Sequence, residues 1–275
     1  DYGYVSPIAT GLPWNLLGLA RMFRPLLERG LPEHRFIDNV AVTPESPQED
    51  EAAIANMCAT SFYHALYFPK NFRRAFFEGV FFDGVSERDI EHWRRAMALF
   101  LNKVTIDQGG KRLIVKNPAY TARVAQLRAI WPDAQFIHIR RNPFVVFQSM
   151  RNFHYKLCAA LGLQTTIPEG VDAVVLETFS RIMETLEWET ADLPCERYID
   201  IRFEDLEAAP TDVVGQIFDQ LSLPGRSDAE AAIGRYLGTL SDYRKNAYRF
   251  DPADLAQVAD AWAPHIARGG YEAPR

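Results

Sequence analysis

Two short apolar segments of the 275-residue chain end in the same order of residue types. Residues 113–115 lead into Lys116-Asn117-Pro118, and residues 136–139 lead into Arg140-Arg141-Asn142-Pro143. In both places a basic residue precedes an Asn suited to capping a helix and a Pro suited to its first position. A cation beside a helix N-terminus is typical of a site for phosphate or sulfate. The alternative is that Asn-Pro merely ends each strand, which leaves the cations unexplained.

The elements that must position these residues are strands alternating with helices. Apolar runs at 113–115, 136–139 and 198–201 predict the strands, and the segments 119–130, 144–162 and 171–189 predict the helices between and after them. This alternation is typical of an α/β fold with a parallel sheet and helices on both faces. Ligands of such sheets bind outside the carboxyl ends of the strands, so we expect Lys116 and Arg141 to face one crevice.

The rest of the chain predicts helices. Residues 14–29 form one, and Ser46-Pro47-Gln48-Glu49 has the residue order of a helix start, for a helix that would run to about Tyr63. Ser86 opens a long amphipathic helix that Gly109-Gly110 closes. The final third is mostly helical, over 207–221, 227–240 and 251–267.

The charge distribution points to a small anionic ligand. The formal net charge of −6 argues against a general nucleic-acid binder. Residues 111–156 nevertheless carry nine basic residues against one acid, Asp133. A local basic block in an acidic protein favours one anion-binding place. For Arg123, Arg128 and Lys156, solvated helix faces are the favoured interpretation.

Cysteine usage and hydropathy narrow the class of protein. The three cysteines are far apart and form no CxxC pair, so neither a disulfide scaffold nor a cysteine zinc site is expected, and a reducing cytoplasm is the default. No His-rich or HExxH motif calls for a metal. The apolar runs stop short of the roughly 18 residues that a membrane span needs.

The motifs together resemble the sulfotransferases that use 3′-phosphoadenosine 5′-phosphosulfate (PAPS), in their large bacterial branch. The match is specific over 113–149, where Arg141 and Ser149 keep the spacing of that family's 3′-phosphate signature. Looser matches extend it over nearly the whole chain: Ser46-Pro47-Gln48-Glu49-Asp50-Glu51, Ser61-Phe62-Tyr63-His64, Tyr67-Phe68-Pro69, Arg202-Phe203-Glu204-Asp205-Leu206 and Tyr243-Arg244-Lys245-Asn246.

The resemblance implies a single sulfotransferase-like domain over 1–275 with a three-layer, P-loop-like core. Residues 1–110 would be a mostly helical acceptor-side region, 111–206 the βα core, and 207–275 a helical C-terminal region. PAPS would be the co-substrate, adenosine 3′,5′-bisphosphate the product, and a small-molecule hydroxyl compound the acceptor. No nucleic acid or metal is implied, and the oligomeric state is left open.

The resemblance also assigns roles. Lys116 would stabilise charge on the leaving group, since sulfuryl transfer is an in-line displacement close to phosphoryl transfer. Arg141, Ser149 and Asn117 would bind the donor, and Arg244, Lys245 and Asn246 would belong to a loop closing on the 3′-phosphate, unless they are only a solvated charged stretch. Candidates for the base that accepts the proton of the acceptor hydroxyl are His64, Glu49 and Glu51.

Two departures from the family pattern bear on these roles. The Gly-rich loop that cradles the 5′-phosphosulfate is absent, and Gly109-Gly110-Lys111 precedes a strand instead of following one. We therefore expect the first βα unit to be missing from this chain. Tyr120 stands where many relatives carry a His, which puts the usual base in question.

Nine aromatic residues between positions 61 and 82 predict a core cluster that also lines an apolar acceptor pocket for a lipophilic or aromatic alcohol. Two alternatives stay open for the function. One is a non-catalytic sulfotransferase-like module that only binds nucleotide. The other, less favoured, is a P-loop-type kinase, since no Walker lysine or magnesium-binding acid follows a strand.

Overall fold

The structure, a computed structural model, describes residues 2–31, 42–239 and 249–274. These residues form two compact units, one of Asp1–Ile130 with Arg151–Val174 and the other of Trp131–Met150 with Val175–Arg275. Two long helices contribute residues to both units, α8 (Pro143–Leu161) and α9 (Val171–Thr190). None of the helices in the described ranges combines the length and the apolar character that crossing a membrane requires.

The first unit is built from helices. It contains a π-helical turn at Leu16–Ala20 and two 3₁₀ turns, at Pro69–Asn71 and Pro118–Ala122. Its α-helices are α1 (Pro7–Gly11), α2 (Arg24–Arg29), α3 (Glu51–Met57), α4 (Tyr63–Tyr67), α5 (Phe72–Phe81), α6 (Glu87–Asp107) and α7 (Val124–Ile130).

The long helix α6 begins and ends as predicted. The Ser86 hydroxyl accepts a hydrogen bond from the Asp89 backbone N–H, which caps the helix start. Beyond its end, Gly109 and Gly110 adopt φ values of +72° and +82°, a region that favours glycine. One face of α6 is buried, with Trp93, Met97 and Phe100 in the core.

The predicted helix from Ser46 to Tyr63 is wrong at both ends. Gln48 donates its backbone N–H to the Val5 carbonyl, so the chain there is still paired with an extended segment and α3 starts only at Glu51. The Ser46 hydroxyl instead accepts from the Thr43 backbone N–H. The helix ends at Met57 because Cys58 is extended, and a separate helix, α4, follows.

The segment 113–115 forms a single parallel bridge instead of a full strand, between Leu113 and Gly3. Gly3 donates to the Arg112 carbonyl and accepts from the Ile114 N–H, each at 2.8 Å. The pairing is short because the partner segment turns into α1 right after Ser6, whose hydroxyl caps that helix. A Cβ at position 3 would lie 2.8 Å from the side-chain ends of Gln108 and Leu113, which would have to move to admit a larger residue.

The second unit holds a two-stranded parallel sheet. Strand β1 (Phe136–Arg140) pairs with β2 (Tyr198–Arg202), in a register that sets Phe136 opposite Tyr198 and Arg140 opposite Arg202. The α-helices that follow β2 are α10 (Phe203–Ala208), α11 (Pro210–Gln220), α12 (Arg226–Leu237), α13 (Pro252–Ala261) and α14 (Ala263–Gly269).

The core of this sheet lies between β2 and α11. Ile199 and Ile201 point to one side of the strand and pack against Val213, Ile217 and Leu221. Burial on alternate strand positions is the pattern of a strand with one face covered by a helix. A helix-rich chain with a small parallel sheet is the α/β fold class expected from the sequence.

Candidate active site

Lys116 lies at the end of the bridged segment and pairs with an acid of the first unit. Its ammonium group forms an ion pair with the carboxylate of Glu49, in the turn before α3. The Lys116 side chain is 72% exposed and that of Glu49 is 18% exposed. The structure thus brings together one predicted leaving-group stabiliser and one predicted base, with the cation accessible to solvent.

The next acid along the chain, Asp50, is fully buried. The Asn117 side-chain amide donates to Asp50 Oδ1 at 2.9 Å, and the Tyr120 hydroxyl donates to Asp50 Oδ2. Burial raises the pKa of Asp50 to about 7, helped by the neighbouring charges of Glu51 and Glu49, while the Asn117 hydrogen bond opposes the rise. Asp50 is therefore poised to hold or release a proton near neutral pH.

Glu51, the first residue of α3, is also buried, and its carboxylate binds donors from two other segments of the chain. Its carboxylate accepts from the Ser61 hydroxyl at 2.6 Å, the Phe62 backbone N–H at 3.2 Å and the Asn117 amide at 2.7 Å. Three donors on one carboxylate satisfy it where water is excluded. This predicted base thus fastens the starts of α3 and α4 to the turn at Asn117.

His64 lies on α4 with both ring nitrogens against backbone carbonyls. Nδ1 lies 2.9 Å from the Ala59 oxygen, and Nε2 lies 3.2 Å from the Ala55 oxygen. These contacts fasten the turn between α3 and α4. They leave neither nitrogen directed at an acceptor molecule, although the sequence made His64 a base candidate.

Asn117 caps the turn after Lys116, as the sequence predicts. Its Oδ1 accepts from the Ala119 backbone N–H at 3.0 Å, and Pro118 occupies the first helical position. The same side chain donates to Asp50 and Glu51, so one residue sets the turn and satisfies two buried carboxyl groups.

Arg123 corrects an expectation, because it lies in the core and not on a solvated face. It is 0% exposed, and its Nε donates to the Val80 carbonyl at 3.0 Å. The guanidinium lies 4.5 Å from the ring centroid of Phe82 and 4.8 Å from that of Trp93. Two aromatic faces supply the contact that replaces water around this cation. Burial lowers its pKa, against the opposing charge of Glu51.

The second unit gathers arginines at the carboxyl ends of its two strands. Arg140 ends β1, Arg202 ends β2, and Arg141 follows with its guanidinium 4.4 Å from the Phe203 ring centroid. Among the described residues, Nε of Arg140 and Nε of Arg202 are buried without a hydrogen-bond acceptor. Each Nε nevertheless faces a carboxylate, since Arg140 pairs with Asp200 at 3.5 Å and Arg202 pairs with Glu204 at 4.0 Å.

The helix α8 begins directly after these arginines. Asn142 caps it, since its Oδ1 accepts from the Phe144 N–H at 3.0 Å, with Pro143 at the first position. The Glu204 carboxylate accepts from the Asn142 backbone N–H at 2.9 Å. A carboxylate at a helix N-terminus is favoured by the helix dipole, and here Glu204 fills that place.

A C-terminal segment packs at the same strand ends. The Tyr271 ring lies 4.9 Å from the Arg202 guanidinium, and its hydroxyl lies 3.4 Å from Glu204 Oε2. The Asn142 amide donates to the Glu272 carbonyl at 3.1 Å. Ser149 lies in α8, two turns from its start. The predicted Arg244, Lys245 and Asn246 lie outside the described residues.

The sequence motifs assign no functional role to Asp50 or Arg202, although both residues lie within them. A signal for Asp50 existed, because three consecutive acids at 49–51 cannot all face solvent at a helix start that also packs on the core. The proximity of Arg202 and Arg140 depends on strand register, which the sequence does not display.

Comparison with known proteins identifies the family. The model of the sulfotransferase family matches residues 19–228. The omega-hydroxy-beta-dihydromenaquinone-9 sulfotransferases Stf3 of Mycobacterium bovis and Mycobacterium tuberculosis are each 30% identical over 254 residues, which is 92% of this chain. The chain spans 65% of the length of these relatives.

Solved structures share the fold at low sequence identity. The Mycobacterium avium sulfotransferase STF9 aligns with a TM-score of 0.65 at 15% identity, over 83% of this chain and 57% of that one. The Mycobacterium tuberculosis sulfotransferase STF1 aligns with a TM-score of 0.55 at 17% identity, over 89% of this chain and 61% of that one. The family match over residues 19–228 includes the ends of both strands. Because it spans more than half of the chain, the chain belongs to the sulfotransferase family.

Proposed function

We propose that this protein transfers a sulfuryl group from PAPS to the hydroxyl of a lipophilic acceptor. The observation that carries the proposal is the family match over residues 19–228, which includes Lys116, Arg141 and Ser149. When bound, the donor supplies an activated sulfuryl group and a leaving phosphate. The chain itself supplies charge, position and a proton acceptor.

Lys116 and Glu49 are the residues to which we assign the chemistry. Lys116 is an exposed cation, so it can turn from Glu49 to the negative charge that develops on a leaving oxygen. Glu49 is the base that we favour, because Glu51 has three hydrogen-bond donors and His64 has a carbonyl at each nitrogen. Glu49, freed from its lysine, can accept the proton of the acceptor hydroxyl.

The 3′-phosphate of the donor is assigned to the strand ends of the second unit. Arg141 can grip a phosphate through two parallel hydrogen bonds, and Ser149 can add a hydroxyl donor. Arg140 and Arg202 add positive charge at this place, although Asp200 and Glu204 already pair with them. Arg244, Lys245 and Asn246 stay proposed as a closing loop, and Asn117 is proposed to orient the turn that carries Lys116.

The acceptor class follows from the relatives and the composition. The relatives' name gives an omega-hydroxylated dihydromenaquinone as their acceptor, a lipid with a terminal alcohol. In this chain most of the aromatics at 61–82 pack together, as Phe72 and Phe76 do around His154, while Phe68 is exposed. We therefore propose an alcohol on a long apolar chain. The three cysteines are free thiols, which fits the reducing cytoplasm that we propose for the reaction.

One observation favours a second candidate, a nucleotide-binding relative without transfer activity. The ammonium of Lys116 is already paired with Glu49, and such a pair could persist when nucleotide binds. Transfer requires that the pair separate. The two candidates therefore differ in a measurable way, which is the turnover of labelled donor.

The test of transfer is an assay with sulfur-labelled PAPS and long-chain alcohols. We expect Lys116→Ala and Glu49→Gln each to lower kcat by about a hundredfold or more, with unchanged unfolding midpoints. Lys70→Ala and Glu45→Gln, which alter exposed residues of the same types, should keep full activity. Turnover that survives Lys116→Ala would contradict the assignment, and no turnover by the unmodified chain would favour the binding module.

The donor site is tested separately by calorimetry with adenosine 3′,5′-bisphosphate. We expect Arg141→Ala to weaken binding at least tenfold, or about 1.4 kcal/mol. Arg74→Ala removes an exposed arginine of α5 and should bind as the unmodified chain does. Equal affinities in the two variants would refute the 3′-phosphate assignment, and magnesium-dependent ATP binding would favour a kinase.

A further inference from the structure

A stripe of large apolar side chains in the first unit faces solvent. Leu19, Met22, Phe23 and Leu26 are 50%, 65%, 46% and 64% exposed. Their spacing of three, four and seven residues from Leu19 places them along one side of the helical run that ends in α2. We call these four residues the outer stripe.

The core does not cover the outer stripe, because only the first turn of this run, at Leu16–Ala20, reaches the core and α2 has no buried residue. Leu16 and Ala20 are buried at 2% and 1% exposure, and the π-helical turn that contains them contacts α6. Contiguous exposed apolar surface of this kind marks an interaction site.

Trp14, five residues before the outer stripe, is exposed beside a groove along α6. The Trp14 side chain is 53% exposed, its Nε1 donates to the Asn56 carbonyl at 3.1 Å, and the Lys103 ammonium lies 5.5 Å from its ring centroid. A groove of about 470 Å³ lies between Trp14 and Leu99, and its charged lining consists of Arg88, Arg95 and the acid Glu91, which pairs with Arg95. An amphipathic Trp with cations around it suits the boundary between lipid and water.

Basic residues interleave with the outer stripe. Arg21, Arg24 and Arg29 outnumber the single acid Glu28 between positions 14 and 29, in a chain whose net charge is −6. Arg21 pairs at 2.8 Å with Asp107, whose side chain is only 11% exposed, whereas the Arg24–Glu28 pair at 3.0 Å lies at the surface. An exposed pair such as Arg24–Glu28 contributes little, so Arg24 can exchange its partner for a lipid phosphate.

We infer that the outer stripe and Trp14 insert into the head-group layer of an anionic lipid bilayer, with Arg24 and Arg29 on the lipid phosphates. This composition is typical of an interfacial helix, which carries Leu, Met, Phe and Trp on its apolar side and arginine beside them. A second copy of the chain fits the surface less well, because the same arginines would meet one another across a two-fold contact.

The inferred surface deepens the proposed function and rests on it for its purpose. An alcohol on a long apolar chain resides in the bilayer, so an enzyme that lies on the membrane reaches it without extracting it into water. Binding to vesicles is nevertheless measured without donor or acceptor, so its failure can be told from a failure of sulfuryl transfer.

The experiment is sedimentation of the full chain with phosphatidylcholine vesicles, with and without phosphatidylglycerol. We expect binding to the anionic vesicles that falls as salt is added, and at least about tenfold weaker binding by Met22→Glu/Leu26→Glu. Arg24→Gln/Arg29→Gln should lose affinity for anionic vesicles while its weak binding to neutral ones is unchanged.

The control carries the same pair of changes on another exposed apolar pair. Leu163 and Ile167 are 73% and 74% exposed, and Leu163→Glu/Ile167→Glu should bind vesicles as the unmodified chain does. Equal loss in both double variants, or no vesicle binding by the unmodified chain, would overturn the inference. A dimer in lipid-free buffer that only Met22→Glu/Leu26→Glu dissociates, without vesicle binding, would assign the surface to a second copy instead.

Discussion

The side-chain amide of Asn117 faces two carboxyl groups that water does not reach. It donates to Asp50 at 2.9 Å and to Glu51 at 2.7 Å, while its oxygen caps the turn after Lys116. Lys116, the residue proposed to stabilise the leaving group, thus precedes a turn whose conformation depends on the next residue, Asn117. A substitution of Asn117 should therefore affect the buried carboxyl groups of Asp50 and Glu51 more directly than the exposed side chain of Lys116.

We predict that Asn117→Ala destabilises the fold more at pH 8 than at pH 6. The Asn117 hydrogen bond opposes the rise in the pKa of Asp50, so its loss raises that pKa further and makes ionisation of the buried acid more costly. The unsatisfied groups should cost about 1–3 kcal/mol. Urea unfolding at both pH values measures this, with Asn152→Ala, at an exposed position of α8, as the control. Equal destabilisation at the two pH values would show that Asp50 does not ionise in this range.

The residue-level predictions from sequence were accurate where the cause is local. The helix caps by Asn117, Asn142 and Ser86 follow from neighbouring residues and are confirmed. The burial of Arg123 depends on Phe82 and Trp93, which lie 41 and 30 positions away in the chain, so no local pattern displays it. The roles of Lys116, Glu49, Arg141 and Ser149 stay predictions.

At the level of elements, the contact between α4 and α5 depends on a glycine. A Cβ at Gly79 would lie 2.2 Å from the Phe62 backbone nitrogen and 2.4 Å from the carbonyl carbon of Ser61. These are backbone atoms at the start of α4, which cannot move aside like a flexible side chain. The same backbone carries the Phe62 N–H that binds Glu51.

We predict that Gly79→Ala lowers the free energy of unfolding by about 3 kcal/mol, although alanine is the better helix former. The matched control is Gly234→Ala in α12, where no atom lies within 4 Å of the added Cβ. That variant should gain up to about 1 kcal/mol from helix propensity. Chemical denaturation measures both, and a stabilised Gly79→Ala would mean that the two helices are not packed this closely.

Elements were predictable from sequence where one signal decided the outcome. The start of α6 and the glycines after it agree with the structure. The start of α3 was missed because a hydrogen bond from Gln48 to Val5, across 43 positions, competes with the local helix signal. The segment 113–115 has strand composition but only a short partner beside Gly3, so composition alone overestimated its pairing.

Across the whole molecule, two buried groups of the first unit respond to pH in opposite directions. Burial among Phe72, Phe76 and Phe153 lowers the pKa of His154 to about 3, whereas burial raises the pKa of Asp50 to about 7. Between about pH 4 and 6.5 the folded chain keeps a proton on Asp50 that the unfolded chain has lost. It lacks a proton on His154 that the unfolded chain holds.

We predict that these two effects offset each other in the unmodified chain and separate in variants. Relative to it, Asp50→Asn should become more stable as pH rises from 4 to 6.5, and His154→Leu less stable, each by up to about 1.4 kcal/mol per pH unit. Urea titrations at a series of pH values measure the slopes. His92→Leu and Asp133→Asn, at exposed positions, should leave the slope unchanged. Slopes of the same sign in the two buried variants would contradict the prediction.

The turn at Phe82 makes the residue types at positions 82 and 123 of the sequence depend on each other. Phe82 adopts φ +61°, a left-handed conformation that costs a bulky residue about 1 kcal/mol or more, and the Arg123 guanidinium lies against its ring. A lineage that replaces Phe82 by glycine removes both the strain and the aromatic face, and leaves a buried cation with one ring, that of Trp93. Positions 82 and 123 should therefore covary among homologous chains, with arginine retained where an aromatic residue occupies the turn and an apolar residue replacing it where glycine does.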